Sequence, residues 1–247
     1  MQKLIKKLII LAVWLVIWQI ASMVTGLELI LAGPVTVFRE FIVLMGQKQF
    51  YITIISSFLH ITGGFIFSAV LAVLLGIAGG RIALIREFLA PVIHLMKSLP
   101  VAAFIIIALM WFGSENISFV IGGMVVVPII YTSVVSGIAN LDGKLNEMAE
   151  VFHMKLSKRI RYIYLPQIYP YVEGNFKVAL GMCWKAGVSA EVIGLAANSI
   201  GMQMYYAKLY MLSADIFVWS IVVIALSAFF EKMFSFFMSV LMRTLAK

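Results

Sequence analysis

The chain has 247 residues, 63% of them hydrophobic and 12% charged, with a mean hydropathy of +1.07. A water-soluble domain of this length cannot bury so much apolar surface, whereas a bilayer supplies an apolar solvent. The lone cysteine, Cys183, excludes an internal disulfide framework and any four-cysteine metal site, and the net charge of +8 is read as membrane orientation rather than nucleic-acid binding.

Lys3, Lys6 and Lys7 precede an apolar run at 8–24. The pattern mimics a secretion signal, but no small-residue cleavage site stands out and more spans follow, so the run reads as an uncleaved first helix. A crossing needs roughly 20 apolar residues, and further candidates lie at 52–78, 85–112, 117–138, 169–193 and 214–230. No strand-like alternation is long enough for a barrel, and an open sheet is not tolerated in lipid. The expectation is an all-α integral membrane protein with about six transmembrane helices. It is one domain over 1–247, with an N-terminal helix and loop at 1–33, a core at 34–232 and a tail at 233–247. No repeat of fixed period is detectable.

The third stretch is longer than a simple crossing and contains Pro91, Lys97 and Pro100. It is kinked or begins as an interfacial helix. A proline break frees backbone carbonyls, which is tolerated where they line a cavity or packed protein. Lys97 and Pro100 are therefore a candidate gate or hinge, with a packing kink as the alternative.

Placing the N-terminus in the cytoplasm leaves only Arg39, Lys48 and Lys208 of the 19 basic residues outside. Lys97, Lys177 and Lys185 fall in or near spans, and the other thirteen lie inside. The positive-inside rule expects that split, which puts both termini and the segment 140–166 in the cytoplasm. Two outer segments, 26–51 and 194–213, are polar enough to be ordered; the second holds Ser199, Gly201, Tyr205 and Tyr206. In the tail, Phe234, Phe237 and Leu241 share a stripe, with Arg243 and Lys247 near its end, as in a helix end meeting lipid headgroups.

Between the fourth and fifth spans the chain turns amphipathic. Leu145, Met148, Ala149 and Phe152 fall at i, i+3, i+4 and i+7, one apolar stripe. Asp142 or Asn140 can cap its start by accepting from first-turn amides. A second short helix is expected from Ser157, with Ile160, Ile163 and Tyr164 on one face and Lys158, Arg159 and Arg161 on the other. Pro166 reads as its stop.

The fifth span carries Lys177, Lys185 and Glu191 beside Asn175, Trp184 and Ser189. A charge at mid-bilayer costs on the order of 3 kcal/mol on insertion scales, so it faces protein or a watery cavity. Lys185 and Ser189, four apart, share a helical face; Trp184 and Glu191, seven apart, share another. These four are candidates to border a translocation pathway; the alternative makes Lys185 and Glu191 contacts between helices. Glu173 and Lys177 can pair or snorkel near the cytoplasmic end.

Catalytic motifs are missing. The sequence has no Gly-x-x-x-x-Gly-Lys-Ser/Thr loop, no Gly-x-Ser-x-Gly elbow and no His-Glu-x-x-His pair, so it carries no ATP site or enzyme of its own. Gly76, Gly79 and Gly80 suit close packing or a turn. His60, His94 and His153 are far apart and form no metal-ligand spacing. No cofactor and no metal are expected.

Glu147, Ala149, position 153, Ile163, Leu165 and Pro166 keep the spacing Glu-Ala-Ala, three residues, Gly, nine residues, Ile-x-Leu-Pro, with Met148 replacing an alanine and His153 the glycine. The segment resembles the cytoplasmic coupling loop of the permease subunits of binding-protein-dependent ATP-binding-cassette (ABC) importers. The glycine allows a positive φ at the turn, which histidine tolerates better than most residues. Leu99-Pro100, Trp111-Phe112-Gly113, Trp184-Lys185, Ala190-Glu191, Ser199-Ile-Gly201, Ala207-Lys208 and Phe217-x-Trp219 extend the resemblance to the nitrate, sulfonate and taurine branch. The resemblance implies that Leu145, Glu147, Met148, Ala149, Phe152, His153 and Pro166 engage a separate ABC ATPase, present in two copies. It further implies a second copy of the permease, an external solute-binding protein, and a place in the bacterial cytoplasmic membrane among its lipids. Nitrate, sulfonates or taurine are the implied cargo, with pyrimidine-type vitamin precursors carried by close relatives; Lys185 favours an anion. The competing reading is a self-sufficient secondary transporter, which would normally show an internal repeat and a longer chain.

Overall fold

The computed structural model describes residues 2–27 and 29–246, with side chains described for 5–27 and 29–240. The expectations for Leu241, Arg243 and Lys247 in the tail, and for the Lys3 side chain, fall outside those described side chains.

Eleven α-helices and one π-helical turn are described: α1 (Gln2–Thr25), α2 (Pro34–Met45), α3 (Lys48–Arg81), α4 (Ala83–Ser98), α5 (Val101–Phe112), α6 (Ile117–Ala139), α7 (Gly143–Val151), α8 (Leu156–Arg159), a π turn (Ile160–Tyr164), α9 (Leu165–Gly194), α10 (Ile200–Leu209) and α11 (Ser213–Ala246). Strands are absent among the described residues, as the sequence leads one to expect.

The bundle is organised by α6, which packs along α3 on one side and α9 on the other. Helices in lipid gain little from the hydrophobic effect between them, so close association needs small residues that let backbones approach. Gly64 on α3 supplies one: a Cβ there would stand 2.5 Å from the Phe119 carbonyl oxygen. Gly76, Gly79 and Gly80, at the end of α3, pack against Val134, Tyr131 and Ile138 of α6, so they serve packing and not a turn. Around this contact Ile61 and Phe65 of α3, Val126 and Ile130 of α6, Leu180 and Trp184 of α9, and Phe230 of α11 form the main core. A second cluster, with Val37, Phe50, Ile200 and Trp219, joins α2, α3, α10 and α11. A third, with Ile105, Ile121 and Ala190, holds α5 onto α6 and α9.

Among the described residues four helices, α1, α3, α6 and α11, are long and apolar enough to cross a bilayer. The stretch 85–112 is not one straight crossing. It is two helices, α4 and α5, turned through 110° at Leu99-Pro100, and together they make a fifth candidate. Pro100 has no amide to continue α4, and the residue before it is forced into extended backbone, with Leu99 at ψ 137°. The remaining expected span, the fifth at 169–193, corresponds to α9, whose 30 residues exceed the length of a crossing but whose Glu173, Lys177, Lys185 and Glu191 make it more polar than the other four.

Pro166 does not stop a helix. Helical backbone runs from Leu156 through the π turn into α9, and Pro166 sits in the first turn of α9. The Leu165 amide reaches back five residues to the Ile160 carbonyl instead of four. That wider ring makes room where a proline in α register would collide with the carbonyl four residues back, and a first-turn proline forfeits no bond the helix needs.

Candidate functional site

At the end of the bundle where α3 finishes, α7 and α8 form a short hairpin under α9. Asp142 caps α7 by accepting from the Lys144 amide at 2.8 Å, and the Asp142 amide itself donates to the Gln167 side chain at 2.8 Å. Arg159 of α8 holds α7 from the other side. Its guanidinium donates to Glu150 at 2.9 Å and to the Asn146 carbonyl at 3.3 Å, and lies 5.7 Å from the Tyr164 ring. Arg81, at the end of α3, lies 6.0 Å from the same ring, so the hairpin is fixed to two long helices. His153 closes the turn after α7 at φ 47°, the left-handed conformation.

The pinned hairpin decides which side of α7 is outward. Ala149 is 1% exposed and faces the bundle, so it cannot meet a soluble partner from this position, although it belongs to the stripe. Leu145 and Met148 are at the surface, and Phe152 is 76% exposed at the C-cap. Lys144, Glu147, Met148 and Val151 recur at i, i+3, i+4 and i+7 and are all exposed, which makes them the outward face. Val151, 75% exposed, was missed in the sequence because it lies off the apolar stripe. Its signal would have been an apolar side chain on a helix whose inner face is already filled.

On α9 the two expected faces separate. Lys185 and Ser189 are exposed, and the Ser189 hydroxyl donates to the Lys185 carbonyl at 2.8 Å, leaving the ammonium outward. Gly174 and Gly181 continue this side with no neighbouring atom where a Cβ would sit, so a long face of α9 has no cover from the rest of the chain. Trp184 and Glu191 are each 1% exposed. Trp184 packs on Phe58 with ring centroids 5.9 Å apart, and Glu191 accepts from the Ser57 hydroxyl at 2.8 Å and the Gly201 amide at 3.2 Å. These two therefore lie inside the subunit and border no open surface in it. Glu173 and Lys177 pair at 3.3 Å. Lys97 and Pro100 lie exposed at the bend between α4 and α5, where the Pro100 carbonyl starts α5 by accepting from the Ala103 amide at 3.0 Å. Ser57, buried in an apolar helix, had no sequence signal as a partner for Glu191.

A family described as the inner membrane component of binding-protein-dependent transport systems matches residues 68–247. The chain belongs to this family. Its hairpin, α9 and α10 all lie within the match, while α1 and α2 precede it. Among relatives, the permease is 30% identical over 197 residues to the nitrate import permease protein NrtB of Synechococcus elongatus, covering 74% of this chain and 69% of the other. It is 27% identical over 220 residues to SsuC of Bacillus subtilis, a permease protein named for aliphatic sulfonates transport, covering 86% and 77%. It is 24% identical over 227 residues to the taurine transport system permease protein TauC of Escherichia coli, covering 90% and 81%. The nitrate, sulfonate and taurine branch named from the motifs is the one in which these relatives fall, and the chain is a membrane transport permease.

Proposed function

We propose that this permease pairs with a second copy of itself and with two copies of a separate ABC ATPase to import a small anion delivered by an external solute-binding protein. The observation that carries the reading is the hairpin. It offers Met148, Val151 and Phe152, with Glu147 beside them, from a rigid mount on the helix that also bears Lys185. An amphipathic helix with exposed apolar anchors is suited to a groove on a soluble partner. ATP-driven closure of that partner would carry α7 with it, and the Asp142–Gln167 bond would pass the displacement to α9. The permease then alternates between outward and inward openings, with the free energy supplied by the partner.

In this reading the uncovered face of α9, with Lys185 and Ser189, lines the pathway where two copies meet, and the bend at Lys97-Pro100 gates it. Trp184 and Glu191 hold the wall from behind. Six crossings, α9 and the α4–α5 pair included, would put both termini on one side with the hairpin, and the basic residues favour the cytoplasm for that side. Nitrate, a sulfonate, bicarbonate or taurine would suit a pathway with one fixed cation from each copy, each being the cargo named for a relative. Glu147→Arg reverses the charge on the outward face without touching the mount, and is expected to abolish ATPase co-purification while leaving permease yield unchanged. Wild-type recovery of the ATPase with that variant would overturn the docking model.

A further inference from the structure

The first turn of α10 is closed by side chains from several elements. The Ile200 amide donates to Ser57 Oγ of α3 at 2.8 Å, the Gly201 amide to Glu191 Oε2 of α9 at 3.2 Å, and the Met202 amide to Ser199 Oγ at 3.0 Å. Ser57 Oγ donates onward to the same Glu191 oxygen at 2.8 Å. A helix start carries unpaired amides and a partial positive charge, so a carboxylate there is held by both. Here the carboxylate belongs to the chain, is 1% exposed, and is reached by no Lys or Arg ion pair among the described residues. Gly201 allows the approach, because a Cβ at that position would collide with the Glu191 Cβ and the Val192 amide.

The other side of α10 faces away from the bundle. Tyr206 and Tyr210 are exposed and stack with centroids 6.4 Å apart, and Lys208 and Leu209 are exposed beside them. The two ends of α9 are thus fastened differently: Gln167 ties one to the α7 hairpin, and Glu191 ties the other to α10. Apolar contacts can slide, whereas hydrogen bonds fix direction. We propose that Glu191 is a positioning residue, a joint that fastens α10 to α9 so that an external solute-loaded protein pressing on α10 moves the Lys185 face. That face begins six residues, or roughly 9 Å, along the same helix. The inference rests on the importer reading above and adds the route by which the outer partner is sensed.

The test uses the complete transporter in lipid nanodiscs, permease with its ATPase, and measures ATP hydrolysis with and without saturating solute-loaded binding protein. For Glu191→Ala, the basal rate is expected to stay within about twofold of wild type while the stimulated rate falls about tenfold, the size of a typical coupling loss. Glu191→Gln keeps an acceptor oxygen for both donors and is expected to recover part of the stimulation. Ser57→Ala removes the Ile200 acceptor and is expected to show the same split more weakly; it decides the matter if Glu191→Ala fails to accumulate. Full stimulation in Glu191→Ala or Ser57→Ala, or basal and stimulated rates falling in parallel, would overturn the joint alone. A wild-type complex whose hydrolysis ignores the binding protein would overturn the importer reading with it.

Discussion

Lys185 lies on α9, which spans the bilayer in the proposed arrangement, with its carbonyl already satisfied by Ser189 and its side chain outside the subunit core. A cation so placed is expensive unless it meets water or a counter-charge. Lys185→Met is expected to cut uptake of an anionic cargo by about tenfold, roughly the worth of one partly solvated charge contact, with ATPase association unchanged; wild-type uptake in vesicles would remove Lys185 from the pathway. Gly64 makes a different demand. A methyl group would press into the Phe119 backbone at 2.5 Å, and a backbone cannot step aside as a side chain can. Gly64→Ala is expected to destabilise the permease by about 2 kcal/mol, read as a lower thermal midpoint in detergent, while the nearby open position Gly181→Ala stays neutral in the same assay. The separation of Lys185 and Ser189 from Trp184 and Glu191 was legible in the spacing. Which pair faced inward was not, because each pair joins a charged residue to a small or aromatic one and periodicity alone does not rank them.

The hairpin shows which parts of an element can be read from residues. Its cap falls at Asp142, one of the two residues that local chemistry offered, while the positive φ at position 153 was signalled by the resemblance, through the glycine that His153 replaces. The continuity through Pro166 did not follow, since proline after a helical stretch ordinarily marks its end and only the π register absorbs it here. Nor did the inward turn of Ala149, which depends on Arg159 gripping Asn146 and Glu150 from the next helix. Arg159→Ala is therefore expected to leave the global fold intact but to speed amide hydrogen exchange across α7 by about tenfold, consistent with losing charge-assisted bonds worth roughly 1.5 kcal/mol at a partly exposed site. Unchanged exchange in α7 would show that the hairpin is held by something else. Pro166→Ala lets the 160–166 backbone relax to α register, which would rotate α8 relative to α9 by about one residue's 100°. The expected result is normal thermal stability with weakened ATPase co-purification.

At the scale of the whole molecule, an all-helical membrane architecture was written in composition and run length. The crossing count was less legible: the α4–α5 bend of 110° and the polar α9 both depart from the simple picture of a straight apolar span. The two ends of the bundle can be told apart chemically. Arg81, Arg159 and Tyr164 gather at one, while Gln49 donates to Asn198 at 2.9 Å at the other. Cys183 is sealed in the core against Gly122 and will not react with polar maleimides in the folded state. Added cysteines therefore report alone. Ser157→Cys is expected to label only from the cytoplasmic side and Asn198→Cys only from outside, and the reverse pattern would invert the topology.

One helix stands apart from this economy of contacts. The first, α1, is the least enclosed of the four candidate spans, touching its neighbours among the described residues chiefly through the Trp18–Phe217 ring contact, the Ser22 hydrogen bond to Leu31 and the Gln19 side chain against Gly33. A segment so loosely joined is modular: an unrelated apolar stretch of equal length, grafted in its place with those three residues retained, would leave a working transporter. Lineages would accordingly be free to trade, lengthen or redesign this leading anchor while the glycine-welded trio behind it stays locked to its geometry.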